Sequence, residues 1–177
     1  MGKAIKIIFK VINTIIVSVC VIIAILIIGM KLLGVQMFTV LSGSMEPEYP
    51  TASLIFVKEV EASELEIGDV ITFRLGENTT ATHRIVEVIE DSDKIMFRTK
   101  GDANDIEDAS PVASTSVIGT PFFTIPEAGH IANYVQTPSG KKSVAAIGAA
   151  LILFVFVTDF VTSDKKKTGG GSENENN

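Results

Sequence analysis

Cysteine is nearly missing from this 177-residue chain. Cys20 is the single one, so no disulfide forms within the chain and any folded domain is held by its core alone. With one cysteine and two histidines, there is no Cys/His cluster for zinc and no HExxH pair. The acidic run at 102–108 lacks the calcium-loop pattern, and no glycine-rich phosphate cradle follows a strand-like segment, so neither a metal nor a cofactor is expected. Basic charge is also short. Residues 34–142 carry 17 acidic and 8 basic side chains, a balance of −9, which argues against a nucleic-acid partner and against tight docking on anionic lipid. Residues 40–120 have no helical period of useful length, and the chain has no internal repeat.

What the chain has in quantity is apolar sequence, with a mean hydropathy of +0.38 held mostly in two blocks. Residues 11–30 (VINTIIVSVCVIIAILIIGM) are free of charge and, as a helix, reach about 30 Å, the thickness of a hydrocarbon core. A cleavable signal peptide is the competing reading. The run is too long for one, no small-x-small site follows, and Gly29-Met30-Lys31 is a poor exit for cleavage, so an anchor is expected. Residues 143–161 (SVAAIGAALILFVFVTDFV) read as a second span, with Asp159 near its end. A buried core helix is the alternative, and the flanking lysines Lys141, Lys142 and Lys165 to Lys167 favour the span.

Orientation follows from the positive-inside bias. Lys3, Lys6, Lys10 and Lys165 to Lys167 lie on one side, against Lys31, Lys141 and Lys142 on the other. The expected layout is a cytoplasmic N-terminus at 1–10, a transmembrane helix at 11–30 and an extracytoplasmic β-rich domain at 34–142. A second span at 143–161 and a cytoplasmic, disordered tail at 162–177 complete it.

Inside 34–142 the pattern is that of strands. Residues 52–60 (ASLIFVKEV) form a short apolar run. Residues 69–75 alternate, with Ile71, Phe73 and Leu75 on one face and Val70, Thr72 and Arg74 on the other. Residues 82–90 alternate again, Asp91-Ser92-Asp93 is turn chemistry, and 94–100 reads as the return strand. Gly68-Asp69 and 76–80 are further turns, and LLGVQMFTVL at 32–41 is strand-like. Residues 125–137 read as a short amphipathic helix or an apolar loop at the membrane surface. The predicted fold is mainly β: a small membrane-associated antiparallel β domain flanked by two transmembrane helices.

Three features carry chemistry. Ser44 lies in LSGSMEPEYP at 41–50. A serine there becomes a nucleophile given a base within hydrogen-bond reach, whereas by composition alone Ser-Gly-Ser is an ordinary turn. His83 shares a strand face with Ile85, Glu87 and Ile89, and its neutral imidazole is suited to take the serine proton. A half-buried structural histidine is the plainer reading. His130, before the second span, suits packing or the interface. The run Lys100 to Asp108 offers three aspartates and a glutamate, one of which would orient the histidine. No spacing rule chooses between them.

In order, the stretches SGSMEPEY (42–49), GDVITF (68–73), THRIVEV (82–88) and FRTKGDANDIEDASPV (97–112) resemble type I signal peptidases of the ER/archaeal class. That class also has bacterial members in Gram-positive, spore-forming lineages, and the resemblance covers roughly residues 10–162. It implies that Ser44 is the nucleophile and that His83 is the general base, where the commoner bacterial branch has a lysine. Asp102 and Asp108 match the two aspartates of interest, and Asp108 matches the one that orients the histidine. Asp105 and Glu107 match no functional position. Ser42 stands where a hydroxyl helps the Ser44 backbone N–H hold the oxyanion.

The resemblance further implies a β-rich catalytic domain built around a substrate groove. Its function would be to cut N-terminal signal peptides from secretory precursors after small residues. The partners would be those precursors and the lipid bilayer, and the need for an accessory subunit is left open. Two other readings stand beside it: a non-catalytic membrane-tethered β-domain module for binding or assembly, and a membrane hydrolase using the same dyad on folded surface proteins. A histidine base predicts a rate that falls on acidification as the imidazole protonates.

Overall fold

The computed structural model describes residues 3–76, 79–91 and 94–162. The predicted tail beyond Thr162, with Lys165 to Lys167, lies outside the described residues, as do the tips of the turns at 77–78 and 92–93. The described chain forms two compact units. One consists of the greater parts of two long helices, and the other is Ala24–Val144.

The helices are α1 (Lys3–Leu32) and α3 (Pro138–Thr162). Both begin before the predicted apolar runs, because residues flanking a charge-free stretch continue the helical backbone. Both are long and apolar enough to cross a membrane. In α3, 6% of the most apolar 18-residue stretch is buried. Side chains such as Ile25 on α1 and Ile152 on α3 are exposed, at 63% and 72%.

The second unit carries one antiparallel seven-stranded sheet, in the order β1-β2-β7-β3-β4-β5-β6, that curls into a half-barrel. The strands are β1 (Val35–Thr39), β2 (Leu54–Lys58), β3 (Val70–Arg74), β4 (Thr80–Asp91), β5 (Lys94–Lys100), β6 (Val112–Ala113) and β7 (Val117–Ile125). Short 3-10 turns at Ala62–Glu64 and Ser114–Ser116 and the helix α2 (Ala128–Gln136) complete it. Of the two readings for 125–137, the helix is the one realised.

The predicted strands at 52–60, 69–75, 82–90 and 94–100 correspond to β2 to β5, shifted at their ends by a few residues. Alternation holds in the packing of β3. Val70 joins Met45, Tyr49, Ile55, Val57 and Ile118 in one apolar cluster, while Ile71 and Phe73 join Leu65, Ile85, Phe97 and Val112 in another. The central strand is therefore covered on both faces. Leu75, assigned to the Ile71 face, is 66% exposed, because it lies past the end of the strand.

The sequence reading missed β6 and β7. In β7, Gly119 (φ +152°) and Pro121 break the period of two, and register shifts interrupt its pairing with both β2 and β3. Gly119 is required there. A Cβ on it would fall 2.0 Å from the Lys58 carbonyl oxygen, so no other residue lets β7 approach β2 so closely.

Candidate active site

Three separate segments of the Ala24–Val144 unit bring the site together. Ser44 sits in a turn between β1 and β2, closed by Glu46 N–H donating to the Gly43 carbonyl at 3.1 Å. Met45, 2% exposed, anchors this turn in the first apolar cluster. His83 lies near the start of β4, opposite Ile71 of β3, and its ring meets Phe73 edge-on with centroids 6.2 Å apart. Asp108 follows β5 on the irregular stretch 101–111.

The side chains form a continuous relay. Ser44 Oγ stands 3.3 Å from His83 Nε2, and His83 Nδ1 stands 2.6 Å from Asp108 Oδ2. An ionised carboxylate can only accept, so Nδ1–H donates to Asp108, and Nε2 keeps a lone pair facing the serine hydroxyl. The histidine side chain is 13% exposed and the aspartate 27%, so water reaches the pair without swamping it. Ser42 Oγ lies 3.2 Å from Ser44 Oγ.

The structure separates the two aspartates. Asp102 faces Arg84, receiving its Nε–H at 2.9 Å and a terminal N–H at 2.6 Å. Arg84 also donates to the Gly68 carbonyl at 2.8 Å and to the Glu48 carboxylate. The hydrogen bond from Arg84 holds the Asp102 carboxyl below the usual carboxylate range, and burial opposes it; the same pairing pushes the guanidinium up. Tyr49 next to this group is raised, first by burial and then by Glu48. Asp102 thus ties the loop to β4 and to the Ser44 segment, and it is Asp108 that meets the histidine.

Gly101 makes this closeness possible. A Cβ there would stand 2.6 Å from the Ser44 carbonyl oxygen, which instead accepts the Ala103 N–H at 2.9 Å. The Asp102 N–H is 3.4 Å from the Met45 sulfur. Beside the relay runs a groove of about 430 Å³, whose lining includes Phe38, Val40, Leu41, Thr80, Thr82 and His83. His130 is not part of it: it is 72% exposed on α2 and pairs with Glu127 at 3.5 Å. Glu107 lies 3.6 Å from Arg98. Among the described residues no group of three or more His, Cys, Asp or Glu is placed to hold a metal ion.

Of the residues the sequence points to, the structure brings Ser42, Ser44, His83 and Asp108 together and pairs Asp102 with Arg84, whereas the sequence suggests no role for Arg84, Glu48 or Thr99. Arg84 next to the histidine was the available signal, since a strand arginine 30% exposed and flanked by acidic loops finds partners.

Residues 11–95 match the family model "Signal peptidase, peptidase S26". Signal peptidase I W of Bacillus subtilis (strain 168) is 51% identical over 85 residues, 48% of this chain and 45% of that protein. The signal peptidase complex catalytic subunit SEC11C of Rattus norvegicus is 28% identical over 124 residues, 64% of this chain and 65% of that one. The human SEC11C is 37% identical over 71 residues, 39% of this chain and 37% of that one. The chain therefore spans about half the length of the curated relatives it matches. The family match holds Ser44 and His83 and ends before the 101–111 loop. Over residues 11–95 the chain is thus similar to the type I signal peptidases of peptidase S26.

Proposed function

We propose that this chain is a membrane-bound serine endopeptidase that removes N-terminal signal peptides from secretory precursors, cutting after small residues. The observation that carries the reading is the Ser44–His83–Asp108 relay, with contacts of 3.3 and 2.6 Å, in a chain whose 11–95 segment matches the signal peptidase family model. A non-catalytic module has no need of a serine and an oriented histidine at this spacing.

The chemistry follows from the geometry. His83 Nε2 takes the Ser44 proton as Oγ attacks the scissile carbonyl, then passes it to the leaving amine. Asp108 keeps the imidazole in the Nδ1–H tautomer and stabilises the imidazolium. The tetrahedral oxyanion is held by the Ser44 N–H and the Ser42 hydroxyl; one such donor supplies about 3 kcal/mol. Water then attacks the acyl-enzyme with His83 again as base.

Substrate docking uses a free strand edge. Residues 80–83 of β4 pair with β3 on one side, while pairing with β5 begins at Arg84. The backbone of 80–83 is thus open toward the groove, where an extended precursor segment adds as a strand. Both termini are cytoplasmic, α1 and α3 span the bilayer, and 34–142 faces outward, so precursor and enzyme meet at high effective concentration.

The test is cleavage of a radiolabelled precursor by the detergent-solubilised protein, wild type beside Ser44→Ala. Cutting after a small-x-small site that vanishes in the variant supports the reading. Cutting that persists in Ser44→Ala overturns it.

A further inference from the structure

Thr99 stands on the Phe97 face of β5, both residues fully buried, at a position where the alternation calls for an apolar side chain. A buried hydroxyl there is justified only by its hydrogen bond. Its Oγ1 lies 2.6 Å from Asp108 Oδ2, the same oxygen that receives His83 Nδ1–H at 2.6 Å. The carboxylate accepts, so the threonine hydroxyl donates. In return the Asp108 backbone N–H donates to the Thr99 carbonyl at 2.8 Å. Two hydrogen bonds in opposite senses between the same two residues tie both the backbone and the carboxylate of Asp108 to β5.

Around Asp108 little else can do this. Residues 101–111 contain no helix or strand, whereas Thr99 pairs with Ile85 across β4 and β5, two residues along the same strand from His83. The threonine therefore refers the loop carboxylate to the strand that bears the histidine. We propose that Thr99 is a positioning residue of the peptidase, the fourth member of the series Ser44–His83–Asp108–Thr99. It fixes the Asp108 carboxylate so that the Nδ1–H tautomer of His83 is preserved through turnover. This rests on the proposed function above.

The structure offers a test in which folding and catalysis move in opposite directions. Thr99→Val keeps the branched shape, suits the surrounding core and removes only the donor. Thr99→Ser keeps the donor and leaves a methyl-sized void. Precursor cleavage by the solubilised full chain is measured with thermal unfolding of each variant, beside Ser44→Ala and Asp108→Asn. Expected is a kcat lowered roughly 10- to 100-fold in Thr99→Val, the effect of losing a hydrogen bond to a charged group. Its KM stays at the wild-type value, because Thr99 does not line the groove. Thr99→Ser restores kcat although it unfolds at a lower temperature than Thr99→Val. Adding Thr99→Val to Asp108→Asn costs little more. A wild-type kcat in Thr99→Val, or equal losses in Val and Ser variants, overturns the assignment while an inactive Ser44→Ala leaves the peptidase reading standing. An active Ser44→Ala removes both.

Discussion

Asp102 and Asp108 lie six residues apart on one loop and carry different loads. Asp108 touches the histidine, so Asp108→Asn, with its geometry kept, should lower kcat by roughly a thousandfold or more through the wrong tautomer. Asp102 touches Arg84, and its substitution should act through stability instead. Its carboxyl is held low when folded, chiefly by the hydrogen bond from Arg84. The folded pKa thus lies below the unfolded one, and the contribution is fully present above about pH 4 and lost as pH falls through the folded value. Asp102→Asn should therefore lower unfolding stability at pH 7 by about 1 kcal/mol, the ion pair being partly solvated, and the gap to wild type should close toward pH 3. Denaturant titration at the two pH values checks this; a difference that widens in acid would contradict it. At Gly101, a Cβ 2.6 Å from the Ser44 carbonyl oxygen must push the nucleophile's backbone, so Gly101→Ala should cut cleavage at least tenfold while the sheet survives by circular dichroism.

At the scale of elements, β2 to β5 were legible because each keeps a period of two or a short apolar run bounded by turn residues. Strand β7 was not, although it sits between β2 and β3 and joins the two halves of the sheet. Its identity comes from tertiary fit: Gly119 lets it approach Lys58, and Pro121 falls at a shifted register. Gly119→Ala should consequently destabilise the domain by about 3 kcal/mol or more, since φ +152° and a 2.0 Å contact must both be relieved. Thermal unfolding in detergent reads this directly, and an unchanged midpoint would mean that β7 does not lie where described. The site was legible in a different way. Ser44 and His83 could be picked out as residues, but the division of labour between Asp102 and Asp108 needed Arg84, and the distance from loop to strand leaves no trace in spacing.

At the scale of the whole molecule, two apolar helices and the lysines that flank them set the expected topology. With 34–142 outside, a cysteine introduced as Lys142→Cys should be labelled in intact cells by a membrane-impermeant maleimide, whereas Cys20, within the apolar run of α1, should not. Labelling of Lys142→Cys only after the cells are opened would reverse the orientation.

The relay spans the domain's chain: Ser44 and His83 are 39 residues apart, and His83 and Asp108 are 25. Between those segments lie strands that pair only when the sheet has closed, and such long-range contacts are slow to form. A chain whose sheet has not closed thus carries its serine without a base and its base without a carboxylate. The three groups therefore meet only once the sheet has closed, so on the proposed reading Ser44 gains its base, and that base its carboxylate, in the last step of folding.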